Sequence, residues 1–299
     1  MTINSTHRSQ LAARGRPASP RVSIVIPAKN EARNLTAVLP TLPTVHEVIL
    51  VDGNSEDDTV AAARSAMPDI KVVQQTRRGK GNALVCGFRA VTGDIVVMFD
   101  ADGSADAREI PRFVDALVRG ADFAKGSRFC DQGGSSDITW FRTQGNDFLN
   151  GVTNILFDTR FTDLCYGYNA FWADIVPDLD LPCPSSTSDG AAMQWGDGFE
   201  IESLLNCRVA AAALRIAEVP SHELPRIHGE SNLNAIRDGF RVLRTIWSEH
   251  RRARKSQRGQ ARATQGAAGL SALRHTAHVP SRVIDLREVA SMQVSKDVG

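Results

Sequence analysis

The sequence predicts an α/β fold whose core is a mostly parallel, doubly wound sheet flanked by helices. Short apolar runs alternate along the chain with segments that we interpret as helices, and this alternation is typical of such sheets. The run Ile95 to Phe99 is apolar throughout, as expected for a strand that is buried on both faces. Acidic side chains directly follow two of the predicted strands. Because ligands of open α/β sheets bind beyond the carboxyl ends of the strands, these acidic side chains predict a ligand-binding site at that edge of the sheet.

The predicted elements follow one another in a regular order. Strands are predicted at residues 21–26, 47–51, 71–73, 95–99, 122–124 and 214–219. Helices are predicted at residues 31–39, 59–67, 79–91, 108–119, 140–157 and 199–213. Asp57 or Asp58 is expected to cap the second of these helices, because negative charge is favourable at a helix N-terminus.

The composition is that of an ordinary globular protein, with 42% hydrophobic and 23% charged residues. The formal net charge is +1, so no overall field draws the chain to nucleic acid, and no nucleic-acid partner is expected. No apolar run reaches the roughly 20 residues of a membrane-spanning helix, and the first residues lack the apolar core of a signal peptide. The five scattered cysteines show no Cys-x-x-Cys spacing, which argues against a zinc site and for reduced thiols. The expected location is therefore the cytoplasm.

Composition divides the chain into four segments. Residues 1–20 are polar and aperiodic and are predicted to be a disordered leader, and residues 255–299 are predicted to be a disordered tail. Residues 21–231 form a single predicted folded domain. Residues 232–254 form a predicted basic amphipathic helix, whose apolar stripe ends at Trp247 and is surrounded by arginines. Either packing on the core or contact with anionic lipid explains that stripe.

Two carboxylates follow the apolar run that ends at Phe99. Asp100 and Asp102 are two residues apart, and residues i and i+2 point to the same side of an extended chain. Converging carboxylates at the end of a buried strand need a cation or a proton to neutralise them. Mg²⁺ and Mn²⁺ prefer such oxygen ligands and share them with substrate phosphates. The same residues also fit a plain turn rich in Asp and Gly. Asp52 follows the second strand, at the same expected edge of the sheet.

Several short motifs occur in one order along the chain. They are IPAKNE (26–31), VDGNSEDDT (51–59), RGKGNA (78–83), DAD (100–102), GSR (126–128), GFEIE (198–202), EVP (218–220) and RIHGES (226–231). In this order they resemble the motifs of inverting glycosyltransferases of family 2, which have the GT-A fold. Within that family the chain is most similar to dolichol- or polyprenyl-phosphate hexose synthases, of the mannosyl or glucosyl kind. The resemblance covers about residues 21 to 247.

The resemblance implies a donor, a metal and a set of site residues. The donor is a nucleotide diphosphosugar of the GDP-mannose or UDP-glucose type, and the cofactor is Mg²⁺ or Mn²⁺, held by Asp100 and Asp102. Such a metal neutralises the charge that develops on the diphosphate leaving group. Donor binding is implied for Pro27, Asn30, Glu31, Asp52, Arg78, Lys80 and Asp100, the cations Arg78 and Lys80 flanking glycines whose open N–H groups can meet phosphate. Catalysis or acceptor binding is implied for Asp102, Arg128, Glu200, Arg226, His228 and Ser231.

The hypotheses differ mainly in the acceptor. We favour a polyprenyl or dolichyl phosphate, reached by peripheral contact of helix 232–254 with the inner face of the membrane. A phosphate is already an anion and needs cations rather than a base. A soluble hydroxyl acceptor, such as a glycan or a natural product, would need Glu200 as general base. Two further hypotheses are a non-catalytic nucleotide-sugar-binding protein and a sugar nucleotidyltransferase, although the Gly-rich loop with Arg that the latter needs does not follow the first strand.

The chain departs from the family's pattern at three places. Gly53 stands where many relatives have a second Asp. Gly103 and Ser104 follow the Asp-x-Asp motif where phosphopolyprenol synthases usually have Leu-Gln, so one polar contact near the metal is changed. Asn232 replaces a Lys that would lie near an acceptor phosphate. These differences leave the fold and the metal chemistry in place and weaken the assignment of a lipid phosphate as acceptor.

Overall fold

The computed structural model describes residues 15–136, 138–184, 193–229 and 239–257. Its strands are β1 (Val22–Ala28), β2 (Glu47–Asp52), β3 (Lys71–Gln74), β4 (Ile95–Met98), β5 (Phe123–Ser127), β6 (Gly134–Ser135), β7 (Asn169–Trp172), β8 (Ile216–Pro220) and β9 (His222–Glu223). Seven of them form one sheet in the order β3-β2-β1-β4-β7-β5-β8, and β6 pairs with β9. Neighbouring strands of the large sheet are parallel except where β7 takes part. The predicted α/β class is confirmed.

Helices connect the strands as the alternation predicts. They are α1 (Ala32–Val38), α2 (Thr59–Ala66), α3 (Lys80–Ala90), α4 (Ile110–Val118), α5 (Trp140–Phe157) and α6 (Ile201–Ala211), and α7, which covers residues 239–257. Short 3₁₀ helices occupy Leu39–Thr41, Ala107–Glu109 and Ala173–Leu179. The predicted ends of α1 to α6 differ from these bounds by no more than two residues. Asp58 occupies the N-cap position of α2 without a side-chain capping bond. The Oδ1 of Asp57, one residue earlier, accepts a hydrogen bond from the Thr59 N–H at 3.0 Å.

The central strands are buried because helices cover the sheet. Ile24, Val25 and Ile26 of β1 are completely buried, as are Ile49 and Leu50 of β2. Successive residues of a strand point to opposite faces, so consecutive buried residues mean that both faces are covered. Burying one such side chain contributes about 1.5–3 kcal/mol to folding. This core fixes the position of the loops that follow β1, β2 and β4.

The antiparallel strand β7 was not predicted from the sequence. It lies between β4 and β5, with Phe171 opposite both Val96 and Phe123. Its sequence, Asn-Ala-Phe-Trp, is only four residues long and starts with a residue that is uncommon in strands. Asn169 is nevertheless completely buried. A strand of this length offers too few residues to show a period.

A second hydrophobic core lies away from the sheet. It contains Leu149 of α5, Cys207 of α6 and Ile246 of α7, with Phe161 and Leu164 from the loop after α5. An ion pair of 2.9 Å between Arg208 Nε and Glu249 Oε2 ties α6 to α7, and both side chains are buried. One face of α7 therefore packs on the protein.

Parts of the terminal segments are anchored. Arg16 lies inside the predicted leader, yet its guanidinium pairs with Asp122 at 2.6 Å and with Asp174 at 2.9 Å. Residues 1–14 of that leader, residues 230–238 and residues 258–299 lie outside the described part of the chain. The chain divides into two units, 1–253 and 254–299; only 254–257 of the second are described, and they are helical. No helix of the described part is long and apolar enough to cross a membrane.

Candidate active site

A cavity of about 990 Å³ lies at the carboxyl edge of the sheet. Its walls come from the loop after β1, the start of α3, the turn after β4 and parts of α5, α6 and α7. The predicted site residues that line it are Pro27, Asn30, Glu31, Lys80, Asp100, Asp102, Arg128, Glu200, Arg226 and His228. Asp52 and Arg78 are not among its lining residues, and Ser231 lies outside the described residues. Distant parts of the chain thus meet in one place, as the strand order requires.

Lys80 joins two carboxylates in the cavity wall. Its Nζ lies 2.7 Å from Asp100 Oδ1 and 2.7 Å from Glu202 Oε1. Burial by itself would lower the pKa of Lys80, but the two carboxylates outweigh burial and raise it above its ordinary value. Burial raises the pKa of Glu202, although Lys80 opposes that shift. One cation therefore compensates two acidic groups that would otherwise repel each other.

Asp102 is held in place by Ser104, two positions further on, and by Arg226, which is distant in the sequence. The backbone N–H and the hydroxyl of Ser104 both donate to Asp102 Oδ1, at 3.0 and 2.7 Å. Arg226 Nη1 lies 2.9 Å from Asp102 Oδ2. Ser104 is one of the residues that depart from the family's pattern, and here it fixes the orientation of a candidate metal ligand.

Gly103 allows a second chain segment to reach this turn. Its φ of +80° favours glycine, and a Cβ at this position would crowd the side chain of Ile227. The N–H of Leu224 donates to Ser104 O at 2.9 Å, and the N–H of Ile227 donates to Asp102 O at 3.1 Å. These bonds align the segment with the turn and bring Arg226 to Asp102.

The donor set of the candidate metal site is small. Among the described residues, no group of three or more His, Cys, Asp or Glu side chains could hold a metal by itself. Asp100 and Asp102 supply two carboxylates, which suits Mg²⁺ or Mn²⁺ when the remaining ligands come from substrate phosphates and water. The site therefore fits a divalent cation that is bound together with a diphosphate.

The loop after β1 is braced by the loop after β2. Asn30 has a left-handed φ of 58°, its Oδ1 accepts from the Glu56 N–H at 2.8 Å, and its own N–H donates to Ser55 Oγ at 3.0 Å. Glu31 Oε2 accepts a hydrogen bond from Asn34 Nδ2 at 2.5 Å. Burial raises the pKa of Glu31, while the bond from Asn34 opposes that rise. This bracing gives one wall of the cavity a fixed shape.

Asp52 takes part in the loop structure rather than in the cavity wall. It ends β2 and is 5% exposed. Its Oδ2 accepts a hydrogen bond from Gln74 Nε2 at 3.0 Å, and the Ser55 N–H is 3.3 Å from its Oδ1. In this arrangement Asp52 supports the loop that carries Ser55, and through it Asn30.

The Gly79-Lys80-Gly81 segment differs from the expectation of open backbone amides. The N–H groups of Gly81 and Asn82 donate to the carbonyl of Asp197, at 2.7 and 3.3 Å. A Cβ on Gly79 or Gly81 would clash with the backbone of residues 196–197. The glycines are therefore needed for a close approach of two chain segments, and the expectation of an open backbone N–H is wrong for Gly81.

The buried arginine of this segment is Arg77, which precedes the predicted site residue Arg78. Arg78 is exposed. Arg77 is buried and forms a two-pronged ion pair with Asp197, with Nε–Oδ2 at 2.7 Å and Nη2–Oδ1 at 2.8 Å. This pair holds the residues just before α6 against the start of α3, and so positions Glu200 relative to Lys80.

Arg128 lines the cavity but is strongly neutralised. Its guanidinium makes a two-pronged ion pair with Asp163, at 2.7 and 2.9 Å, and its Nη1 lies 2.9 Å from Glu223 Oε2. Burial would lower the pKa of Arg128, but Asp163 and Glu223 raise it. Its guanidinium also lies 4.8 Å from the centre of the Tyr166 ring. An acceptor phosphate at Arg128 would have to compete with two carboxylates.

Glu200 stands at the N-terminus of α6 and is 6% exposed. Its Oε1 accepts from the N–H groups of Gly196 and Gly198, at 3.1 and 3.3 Å. Within the described residues, its Oε2 accepts no hydrogen bond, and the same holds for Oδ1 of Asn34 and of Asn146, two other buried residues that line the cavity. Buried acceptors without a donor are rare in folded proteins. Three of the five such atoms in the described residues belong to residues that line this one cavity.

Several residues of the site were not found by sequence reasoning. Glu202 belongs to the GFEIE motif, but its spacing does not reveal that it shares Lys80 with Asp100. Asp163 and Glu223 belong to no motif, because only the folded chain brings them to Arg128.

The predicted site residue His228 is exposed at the cavity, and its carbonyl accepts a hydrogen bond from Asn34 Nδ2 at 3.3 Å.

Comparison with known proteins settles the family. A sequence model described as "Glycosyl transferase family 2" matches residues 23–177. The chain belongs to this family. An uncharacterized glycosyltransferase of Mycobacterium tuberculosis is 41% identical over 231 residues, which are 77% of this chain and 98% of that protein. An undecaprenyl-phosphate mannosyltransferase of Micrococcus luteus is 32% identical over 226 residues, which are 72% of this chain and 88% of that protein. The predicted resemblance is confirmed, and the protein is a glycosyltransferase.

Solved structures agree on the fold of this glycosyltransferase. Glucosyl-3-phosphoglycerate synthase from Mycobacterium tuberculosis, in complex with Mn²⁺, UDP and glucosyl-3-phosphoglycerate, matches with a TM-score of 0.59. The match covers 78% of this chain and 80% of that chain at 23% identity. At this identity the likeness concerns the fold alone, and it confirms the predicted GT-A architecture.

Proposed function

We propose that this glycosyltransferase moves a hexose, with inversion, from a nucleotide diphosphosugar to a polyprenyl phosphate. The observation that carries the proposal is the pair Asp100 and Asp102, each bound to a cation inside a cavity at the carboxyl edge of the sheet. Carboxylates and cations placed alternately in one wall suit a diphosphate together with a divalent metal. The printed name of the Micrococcus luteus relative supports a polyprenyl phosphate as the acceptor.

In the proposed reaction the protein mainly positions charged groups. Asp100 and Asp102 would hold Mg²⁺ or Mn²⁺, which would supply a Lewis acid for the diphosphate leaving group. Lys80 and Arg226 provide positive charge next to the oxygens of the diphosphate leaving group. The loop at residues 27–31 contacts the nucleoside, and the wall formed by α5, α6 and α7 receives the acceptor.

A transfer assay combined with a donor-binding panel tests the proposal. Donors such as GDP-mannose and UDP-glucose are added with and without Mn²⁺, and the melting temperature is measured. We expect the correct donor to stabilise the protein by about 2.7 kcal/mol at a concentration of 100 times its Kd, and only when the metal is present. Transfer to farnesyl phosphate, with the anomeric configuration of the product read by NMR, then tests the acceptor and the inversion. Retained configuration, or no transfer from any donor, contradicts the proposal.

Glu200 supports a second candidate, transfer to a soluble hydroxyl acceptor. The carboxylate is buried, and its Oε1 is oriented by two backbone N–H groups. A general base for a sugar or alcohol hydroxyl needs such a fixed orientation. Polyprenol without phosphate and a panel of soluble glycans serve as competing acceptors in the same assay, and transfer to one of them would favour this candidate.

We also propose that α7 rests on the surface of an anionic membrane. One face of α7 packs on the core through Val242, Leu243 and Ile246, whereas Phe240 and Trp247 are 71% and 51% exposed. Arginines flank these aromatic residues, and a basic helix with exposed aromatic side chains suits a lipid surface. The two explanations of the predicted stripe thus apply to different faces of one helix.

Replacing both aromatic residues of α7 by serine (F240S/W247S) tests membrane contact. We expect binding to vesicles with anionic headgroups to fall about tenfold or more, because each buried aromatic side chain contributes on the order of 1.5–3 kcal/mol. Co-sedimentation with vesicles measures the effect. The matched control is V118S, which removes an exposed apolar side chain from α4. Equal sedimentation of wild type and F240S/W247S would contradict membrane contact.

A further inference from the structure

Seven lysine and arginine side chains of the described residues line the cavity, and four of them differ in how closely they are paired with carboxylates. Lys80, Arg128 and Arg226 each lie within 2.7–2.9 Å of a carboxylate oxygen. Arg241 of α7 is different, because its Nε is 3.9 Å from Glu200 Oε2, which is too long for a hydrogen bond. Its side chain remains 37% exposed and contributes to the cavity wall. Among these four cations, Arg241 is the one that an incoming anion can reach without breaking a short ion pair.

Glu200 faces Arg241, and a gap of 3.9 Å separates Arg241 Nε from Glu200 Oε2. As described above, Glu200 is buried, and both backbone bonds go to its Oε1, so Oε2 is the oxygen that meets Arg241. Within the described residues, Oε2 accepts no hydrogen bond. A buried carboxylate oxygen is stabilised by a donated proton. The gap therefore offers one cation and one hydrogen-bond acceptor side by side.

We infer that Arg241 and Glu200 bind the acceptor as a phosphate monoester that still carries one proton. A charged phosphate oxygen pairs with the guanidinium of Arg241, and the protonated oxygen donates its hydrogen bond to Glu200 Oε2. A hydroxyl acceptor would use Glu200 but leave Arg241 without a partner, and a fully ionised phosphate would be repelled by Glu200. The inference rests on the proposed function and adds which form of the acceptor the site selects.

Glu200 accepts the proton that the acceptor phosphate loses during the transfer. A phosphate oxygen forms a bond to the anomeric carbon, and the bond from that carbon to the diphosphate breaks. The nucleoside diphosphate leaves with the electron pair, and the proton of the acceptor moves to Glu200 Oε2. Glu200 becomes neutral, the product is a singly charged phosphate diester, and the total charge is unchanged.

The pH dependence of transfer to farnesyl phosphate distinguishes this role from others. The second pKa of a phosphate monoester is about 6, so the acceptor carries a proton in about half of the molecules at pH 6 and in few at pH 8. We expect E200Q to lower kcat/KM for the acceptor by roughly 10²-fold at pH 6. At pH 8 the loss should be less than about tenfold, since glutamine no longer repels the fully ionised acceptor and that acceptor needs no base. All other charged or titratable side chains that line the cavity are kept in the variant. Besides Arg241 they include Lys29, Glu31, Arg33, Asp57, Lys80, Asp100, Asp102, Arg128, Arg142, Glu202, Glu223, Arg226 and His228.

Replacing Arg241 by glutamine tests whether its guanidinium binds the acceptor phosphate. R241Q should raise the acceptor KM by roughly 10- to 100-fold, the usual effect of losing a charged hydrogen bond, and leave the donor KM unchanged. R241K should recover part of the loss. R119Q, which changes an exposed arginine directly after α4 and outside the cavity, is the matched control and should behave like wild type.

The outcomes separate the inference from the proposed function. If wild type transfers to farnesyl phosphate but the loss in E200Q is equal at pH 6 and pH 8, or R241Q keeps its acceptor KM, the inference alone is overturned. If wild type transfers to polyprenol or to a soluble hydroxyl instead, the proposed acceptor and the inference fall together. Circular dichroism and the donor KM show that each variant is folded, so a lost acceptor site is not confused with a lost fold.

Discussion

Replacing Asp102 by asparagine should lower the rate of sugar transfer by on the order of 10³-fold, because the diphosphate loses one carboxylate that positions its metal. Asparagine has the same shape and retains an acceptor for the Ser104 bonds to Oδ1. Arg226 loses its partner, but its side chain is 32% exposed and can be hydrated, so the free energy of unfolding should change by about 1 kcal/mol or less. Steady-state release of the nucleoside diphosphate measures the rate. The thermal shift given by donor and Mn²⁺ should disappear in D102N.

The turn after β4 offers a closely matched control. Asp106 lies outside the cavity. Its Oδ1 accepts a hydrogen bond from the Arg108 N–H at 2.9 Å, and its Oδ2 pairs with the Arg108 guanidinium at 2.8 Å. Like Asp102, it therefore accepts from the backbone N–H two residues further on and pairs with an arginine. D106N should therefore transfer sugar at close to the wild-type rate. Undiminished transfer by D102N, or an equal loss in D106N, would sink the assignment of Asp102 as a metal ligand.

The sequence was sufficient to place the strand ends around the site. The apolar runs at residues 21–26, 47–51 and 95–99 predict strands, and a parallel sheet brings their carboxyl ends to one edge. The i, i+2 spacing of Asp100 and Asp102 then placed two carboxylates in the cavity. These features are local, so a linear pattern can report them.

The contacts that neutralise the site could not be predicted in this way. Arg128 was expected to meet an acceptor phosphate, and the structure adds Asp163 and Glu223, which are 35 and 95 positions away in the chain. The role of the glycines at 79 and 81 is set by the backbone of residues 196 and 197, which no local pattern connects to them. Ion pairs of this kind depend on the tertiary fold, and a sequence motif does not distinguish a charge that meets substrate from one that meets another side chain.

Replacing Lys80 by methionine should lower the stability of the protein. In K80M, Asp100 and Glu202 lose the cation that lies 2.7 Å from each. The side chains of Lys80 and Glu202 are 16% and 14% exposed, and removing one partner of a buried pair destabilises a protein by about 3–5 kcal/mol. Because some solvent reaches the pair, we expect about 3 kcal/mol at pH 8, measured by urea denaturation. K71M is the control, since Lys71 is 41% exposed and 3.8 Å from Glu47, and its loss should amount to less than about 1 kcal/mol.

The loss in K80M should become smaller as the pH falls from 8 to 5. Lys80 has a raised pKa, so its contribution in the wild type is complete below the ordinary lysine pKa of about 10.4 and is constant over this range. In the variant, burial and Asp100 raise the pKa of Glu202 without opposition from Lys80. The folded variant then binds a proton at pH values where an unfolded glutamate, with a pKa of about 4.3, does not, and its stability rises as the pH falls. A difference between wild type and K80M that stays the same from pH 8 to pH 5 would show that Lys80 acts through packing rather than by compensating Glu202.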